Sequence, residues 1–100
     1  MSHGEIVWTI SSLLLIVGAL CLCLRRQLLA MILGVELMLN GANVAIVYTA
    51  VRRSDPDGLA IALLIIAMAA AEVVVGFSLI LSLNRRGLAA ETSELTDLAG

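Results

Sequence analysis

Three long apolar runs divide the chain, and each run ends at a pair of arginines. The runs cover about residues 6–24, 28–51 and 59–83. An α-helix needs roughly 20 mostly apolar residues to cross a bilayer, and each run meets that length. The pattern predicts an all-α membrane protein with three transmembrane helices. The arginine pairs that close the runs are Arg25–Arg26, Arg52–Arg53 and Arg85–Arg86.

The segments outside the runs are short. Arg25, Arg26 and Gln27 join the first run to the second. Residues 52–58 contain Pro56 and Gly58, which break helices, so we predict a turn there. Residues 84–100 form a mildly acidic tail, so the whole chain is predicted to be a single membrane domain.

The composition excludes a soluble enzyme. Hydrophobic residues make up 61% of the chain and the mean hydropathy is +1.07, whereas a soluble domain is about 45–50% apolar. All six basic residues are arginines, so there is no lysine-rich patch to support a nucleic-acid partner. Cys21 and Cys23 are two residues apart and point to different helix faces, so we expect neither a disulfide nor a metal site.

The second run contains polar residues at membrane depth. Glu36, Asn40 and Asn43 are spaced by four and three residues, which places them on one helix face. An ionised carboxylate at the bilayer centre costs about 2.5–3.5 kcal/mol on insertion scales, and intramembrane acids usually mark proton or ion paths. We therefore predict that Glu36 handles protons and that Asn40 and Asn43 support it with hydrogen bonds.

The third run contains one acid, Glu72. Counted from the arginine pairs, Glu36 lies about 15 Å and Glu72 about 20 Å from the same end of the bundle, at 1.5 Å per residue. Both acids are therefore predicted to lie buried near the middle of the bilayer, within about one helical turn in depth. The matching depth favours proton translocation by the pair; a static interhelical hydrogen bond is the alternative role for each acid.

The arginine pairs also predict the orientation. Two pairs flank one side of the predicted bundle, and the single pair on the other side is accompanied by Asp55 and Asp57. Because cytoplasmic loops are enriched in Lys and Arg, the loop with Arg25 and Arg26 is predicted to be cytoplasmic. The N-terminus would then be outside, and the C-terminus and the tail would be cytoplasmic.

Two stretches resemble a known family. Residues 34–43, GVELMLNGAN, resemble the second-helix motif of subunit K of respiratory complex I, the proton-pumping NADH:quinone oxidoreductase. Residues 69–76, AAAEVVVG, resemble its third-helix motif. The resemblance extends to the chain length, the three spans and the Arg25–Arg26 pair. Gln27 is a mild departure, because an asparagine or a similar residue is expected there.

The resemblance implies a non-redox subunit of the membrane arm, located in the inner (plasma) membrane. Glu36 and Glu72 would belong to a line of intramembrane ionisable residues that couples quinone reduction to proton translocation. The chain would bind no cofactor itself, and other subunits would hold NADH, FMN, iron–sulfur clusters and quinone. Its partners would be the A and J subunits, an antiporter-like N subunit and the lipid bilayer.

Other membrane proteins fit the sequence less well. The small C subunit of multisubunit cation/proton antiporters keeps the three-helix pattern but lacks an acid at the place of Glu72. A small multidrug exporter would need four spans and an acid in the first helix, and a rotor-ring proteolipid of an ATP synthase would show two spans. A purely structural assembly subunit would share every packing feature, and only the roles of Glu36 and Glu72 would distinguish it.

Overall fold

The structure, a computed structural model of the chain, describes residues 2–87. These residues form three helices, α1 (His3–Leu24), α2 (Leu28–Arg52) and α3 (Pro56–Arg85). Each helix is long and apolar enough to cross a membrane, so the predicted all-α fold with three spanning helices is confirmed. Residues 88–100 of the predicted tail lie outside the described residues.

Helix α1 begins at His3, three residues before the predicted start, because Ser2 caps it. The Ser2 hydroxyl accepts a hydrogen bond from the Glu5 backbone N–H at 3.2 Å, and the Glu5 carboxylate accepts one from the Ser2 N–H at 3.0 Å. This reciprocal capping box satisfies two backbone donors that a helix start otherwise leaves unpaired. His3, Gly4 and Glu5, which precede the predicted apolar run, are therefore part of the first helix.

The predicted turn over residues 52–58 is wrong in its second half, because Pro56 and Gly58 belong to α3. Proline is favoured at the first helical position, where its missing N–H costs no intrahelical bond. Asp55 caps this end by accepting a hydrogen bond from the Asp57 N–H at 3.0 Å. The turn itself is confined to Arg53–Asp55, and Ser54 adopts a positive φ of 50° there.

Helix α2 is the central element, since both α1 and α3 pack antiparallel against it. On one side Ser11 of α1 contacts Gly41 of α2. Seven residues further along α1, and seven residues back along α2, Gly18 lies against Gly34. On the other side, Gly58 of α3 lies against Ala50 and Gly76 of α3 lies against Ile32. These four contacts fix the register of the bundle.

Small residues allow α1 and α2 to approach closely. Helix α2 carries the small residues Ala30, Gly34, Gly41 and Ala45, and the structure buries Gly34 and Gly41 against α1. A Cβ atom added at Gly34 would lie 2.8 Å from the carbonyl oxygen of Gly18. In addition, the Ser11 hydroxyl donates a buried hydrogen bond of 2.6 Å to the Gly41 carbonyl oxygen. Close backbone approach and interhelical hydrogen bonds are the usual sources of helix association in membranes.

The large apolar side chains mostly face outward. Among the described residues the buried apolar ones are Ala50, Ala62, Ala69 and Leu83, whereas Leu63 and Val75 are each 68% exposed. An apolar surface this extensive is incompatible with water and suits lipid or neighbouring transmembrane helices. The chain is therefore a multi-pass membrane protein with little core of its own.

Candidate functional site

Glu36 and Glu72 line one cleft, to which all three helices contribute. The cleft has a volume of about 200 Å³, and we refer to it as the acid cleft. Apart from the two acids its lining is apolar and consists of Leu22, Leu28, Met31, Ile32 and Val35. The two carboxyl groups thus share an environment of low polarity.

The register of α2 and α3 explains why the two acids line the same cleft. Ile32 of α2 contacts Gly76 of α3. Because the helices are antiparallel, four residues along α2 lead to Glu36 while four residues back along α3 lead to Glu72. Four residues are close to one helical turn, so both acids stay on the contact side and lie at the same level.

The two acids differ in burial. Glu36 is half-buried, and its Oε1 atom is buried without a hydrogen-bond partner among residues 2–87. Glu72 is exposed on the surface of this chain, and its position near the middle of the bilayer stays a prediction. Glu72 is exposed because α3 packs mainly on α2 alone, which leaves most of its circumference uncovered.

Asn40 and Asn43 lie on the predicted face of α2 but line a different cleft from Glu36. Asn40 is exposed, whereas Asn43 is buried and its Oδ1 atom has no hydrogen-bond partner among the described residues. We call this second cleft, of about 590 Å³, the carboxamide cleft; its lining residues are Val7, Asn40, Asn43, Val44, Val47, Tyr48, Val51 and Ile66. The two clefts share no lining residue.

The polar face formed by Glu36, Asn40 and Asn43 is therefore divided between two clefts. No carboxamide donor reaches the buried Oε1 atom of Glu36 within residues 2–87. The sequence analysis did not predict the carboxamide cleft. A signal was present, because Val44, Val47 and Val51 follow Asn40 at spacings that continue one face of α2.

Arg25 and Arg26 lie in the connection between α1 and α2, and both are exposed. Neither lines the acid cleft, but Leu22 and Leu28, which flank them in sequence, do. Arg85 ends α3 at the same end of the bundle. The acid cleft therefore extends from mid-helix toward this arginine-rich end.

The chemistry available in the acid cleft is that of two carboxyl groups. Each can take up or release a proton, and the cleft, with a volume of about 200 Å³, has room for several water molecules. Residues 2–87 contain no group of three or more His, Cys, Asp or Glu residues arranged to hold a metal ion. Cys21 and Cys23 are free thiols.

Comparisons with known proteins agree on one family. The family model described as NADH-ubiquinone/plastoquinone oxidoreductase chain 4L matches residues 6–100. The NADH-quinone oxidoreductase subunit K of Chromohalobacter salexigens is 40% identical over 86 residues, covering 86% of this chain and 81% of that protein. The Roseiflexus castenholzii protein of the same name is 37% identical and covers 91% of each chain. A subunit K 1 from Geotalea uraniireducens is 36% identical over 95 residues, or 94% of this chain and 93% of the relative.

Proposed function

Since this chain belongs to the family of NADH-ubiquinone/plastoquinone oxidoreductase chain 4L, we propose that it is a membrane-arm subunit of a proton-pumping NADH:quinone oxidoreductase. In this proposal Glu36 and Glu72 couple quinone reduction to proton translocation. The observation that supports it is the acid cleft, where acids from two different helices lie at one level.

A shared cleft makes the two acids responsive to each other. Protonation of one carboxylate removes a negative charge, and this changes the electrostatic potential at the other. The change is larger in an apolar environment than in water, since the effective dielectric constant is lower. Quinone reduction in another subunit would alter the field or the hydration around Glu36, and Glu72 would pass on the proton or the electrostatic signal.

The proposal extends to the surroundings of the chain. The A and J subunits, an antiporter-like N subunit and lipid would surround it in the inner (plasma) membrane. It would bind no cofactor, because NADH, FMN, iron–sulfur clusters and quinone would be held by other subunits. The N-terminus would be outside, since Arg85 shares one end of the bundle with Arg25 and Arg26 whereas Asp55 lies at the other.

The test uses inverted membrane vesicles that carry Glu36→Gln, Glu72→Gln or both. Glutamine keeps the size and polarity of the side chain but cannot ionise. We expect the complex to assemble on a native gel while NADH-driven proton uptake falls several-fold. Glu5→Gln is the matched control, because Glu5 lies in the exposed cap of α1 and should leave proton uptake unchanged.

Two outcomes would contradict the proposal. Normal electron transfer and proton uptake in the assembled double variant would assign the acids a packing role and favour a structural assembly subunit. Absence of the chain from an otherwise complete oxidoreductase would refute its membership in the complex.

A further inference from the structure

A third cleft lies beside the turn that joins α2 to α3, at the end of the bundle opposite Arg25 and Arg26. Trp8 of α1, Gly58 of α3 and one face of α2 line it, and its volume is about 320 Å³. We refer to it as the Arg53 cleft. It shares no lining residue with the acid cleft or the carboxamide cleft, so the proposed function makes no use of it.

The Arg53 cleft presents a positive and a negative group that are not paired with each other. Arg53 and Asp55 both line it, and both are exposed. Within residues 2–87 the two side chains form no ion pair, since the Asp55 Oδ1 atom instead accepts the hydrogen bond from the Asp57 N–H. The Asp55 Oδ2 atom lies 3.6 Å from the place of a Cβ at Gly58, which also lines the cleft. A cation and an anion offered separately suit a ligand that carries both charges.

The rest of the cleft suits an acyl chain. Trp8 is 51% exposed, and an exposed indole near the end of a spanning helix is typical of the membrane–water interface. From Arg53 the lining continues back along α2 to Ala45, about 12 Å at 1.5 Å per residue. Ala45, Ile46 and Ala50 make most of this stretch apolar. The charges therefore lie at headgroup depth and the apolar part extends into the hydrocarbon region.

We infer that the Arg53 cleft binds a phospholipid with an ethanolamine headgroup, whose phosphate contacts Arg53 and whose ammonium contacts Asp55. Both contacts are charge-assisted hydrogen bonds. Phosphatidylglycerol has no cation for Asp55, and the ammonium of phosphatidylcholine has no N–H to donate. The inference goes beyond the proposed function, because it requires only that the chain spans a membrane.

The first test identifies the lipid by photocrosslinking in the assembled complex. The complex is reconstituted in vesicles with equal amounts of phosphatidylethanolamine, phosphatidylglycerol and phosphatidylcholine, all with deuterated acyl chains that distinguish them from lipid carried over. An aliphatic diazirine amino acid replaces Ile46 in the cleft. By mass spectrometry we expect phosphatidylethanolamine adducts to exceed each of the other two by roughly threefold, the size of effect expected from one accessible ion pair.

Leu63 provides a control at the same depth. It is 68% exposed and lines none of the three clefts. Gly58 contacts Ala50, so Leu63, five residues along α3, lies close to the level of Ile46, four residues back along the antiparallel α2. Lipid adducts from a diazirine at Leu63 should follow the composition of the vesicles.

The second test removes one charge at a time. Asp55→Asn keeps a side-chain acceptor for the Asp57 N–H, so the cap of α3 is retained, and the excess of phosphatidylethanolamine should disappear. Arg53→Gln should lower the yield of all three adducts, because the phosphate is common to the three lipids. Arg52→Gln is the matched control, since Arg52 donates to the Tyr48 hydroxyl and lines none of the three clefts. It should change neither the yield nor the excess.

Three results would overturn the inference. Adducts from Ile46 in the proportions of the vesicles would mean unselective contact with bulk lipid. An excess of phosphatidylglycerol would mean that Arg53 acts alone on an anionic headgroup, and an adduct with protein only would mean that another helix covers the cleft. Each result is read in an assembled complex without reference to proton uptake, so it leaves the roles proposed for Glu36 and Glu72 untouched.

Discussion

The two interfaces of α2 differ in which atoms hold the helices apart. Toward α1 the contact is between backbones, because Gly18 and Gly34 face each other and an added Cβ at Gly18 would lie 2.5 Å from the Gly34 carbonyl oxygen. Toward α3 the contact beside the acid cleft is made by a side chain, since Ile32 fills the space over Gly76, whereas at the other end of α3 Gly58 lies against the Cβ of Ala50. The backbone contact has no freedom to repack, whereas a side chain can change rotamer.

The α1–α2 interface is therefore expected to stabilise the bundle, whereas the α2–α3 interface holds the two acids. The α1–α2 interface contains the contact between Gly18 and Gly34 and the buried Ser11–Gly41 hydrogen bond. The α2–α3 interface contains Glu36 and Glu72 in a cleft. A carboxyl group that changes charge needs surroundings that can reorganise, so the adjustable interface is the more suitable place for it. The three substitutions below test this division.

The largest effect is expected at the backbone contact. In Gly18→Ala the new Cβ would meet backbone atoms of Gly34 and Met38, which cannot move without separating the helices. We expect a loss of about 1–3 kcal/mol in stability, as is usual for overpacking. The measurement is the temperature at which the chain dissociates from the solubilised complex, followed on native gels. An unchanged dissociation temperature would show that α1 and α2 are not held at this separation.

An intermediate effect is expected from the interhelical hydrogen bond. Ser11→Ala removes the donor to the Gly41 carbonyl oxygen and should cost about 0.6 kcal/mol, the average for such bonds in a membrane protein. Ser12→Ala is the matched control, because Ser12 is exposed on the same helix. If both variants lower the dissociation temperature equally, the loss belongs to the serine-to-alanine change in general and not to this bond.

The smallest effect on stability is expected at the side-chain contact. In Gly76→Ala the new Cβ meets the terminal Cδ1 atom of Ile32, which can rotate away. The higher helix propensity of alanine, roughly 0.5–1 kcal/mol in soluble helices, offsets part of the crowding. We therefore expect a dissociation temperature close to that of the unmodified complex.

The same variant also probes the acid cleft, because Gly76 lies one turn from Glu72. Any decrease in proton uptake should be reversed by adding Ile32→Val, which shortens the crowding side chain. A Gly76→Ala variant as unstable as Gly18→Ala would mean that the two interfaces are equally rigid, and the comparison would be wrong.

Local patterns in the sequence were enough to predict the three helices and the common level of the two acids. Both follow from run lengths and from the distance of Glu36 and Glu72 to the arginine pairs. The start of α2 was predicted correctly, but the starts of α1 and α3 were missed even though their signals were present. Ser2 with Glu5 is a capping box and Asp55 with Pro56 is a helix start, and both patterns are local enough to read directly.

The spacing of Glu36, Asn40 and Asn43 could not predict that they line two different clefts. Glu36, Asn40 and Asn43 do share a helix face, but the packing of α1 and α3 around α2 decides which cleft each residue lines. That packing depends on contacts between residues far apart in sequence, such as Gly18 with Gly34 and Ile32 with Gly76. The exposure of Glu72 has the same origin, because it depends on how much of α3 the other helices cover.

The short connection between α1 and α2 has a consequence for biosynthesis. With Arg25–Gln27 as the only link, the first two helices can enter the membrane as a hairpin, held by Gly18, Gly34 and Ser11. Glu36 is then translated before the residue that shares its cleft, since Glu72 follows 36 positions later. At roughly 5–20 residues per second the interval is about 2 to 7 seconds. During that time Glu36 has no partner acid, so the acid cleft is completed only when α3 has been added to the hairpin.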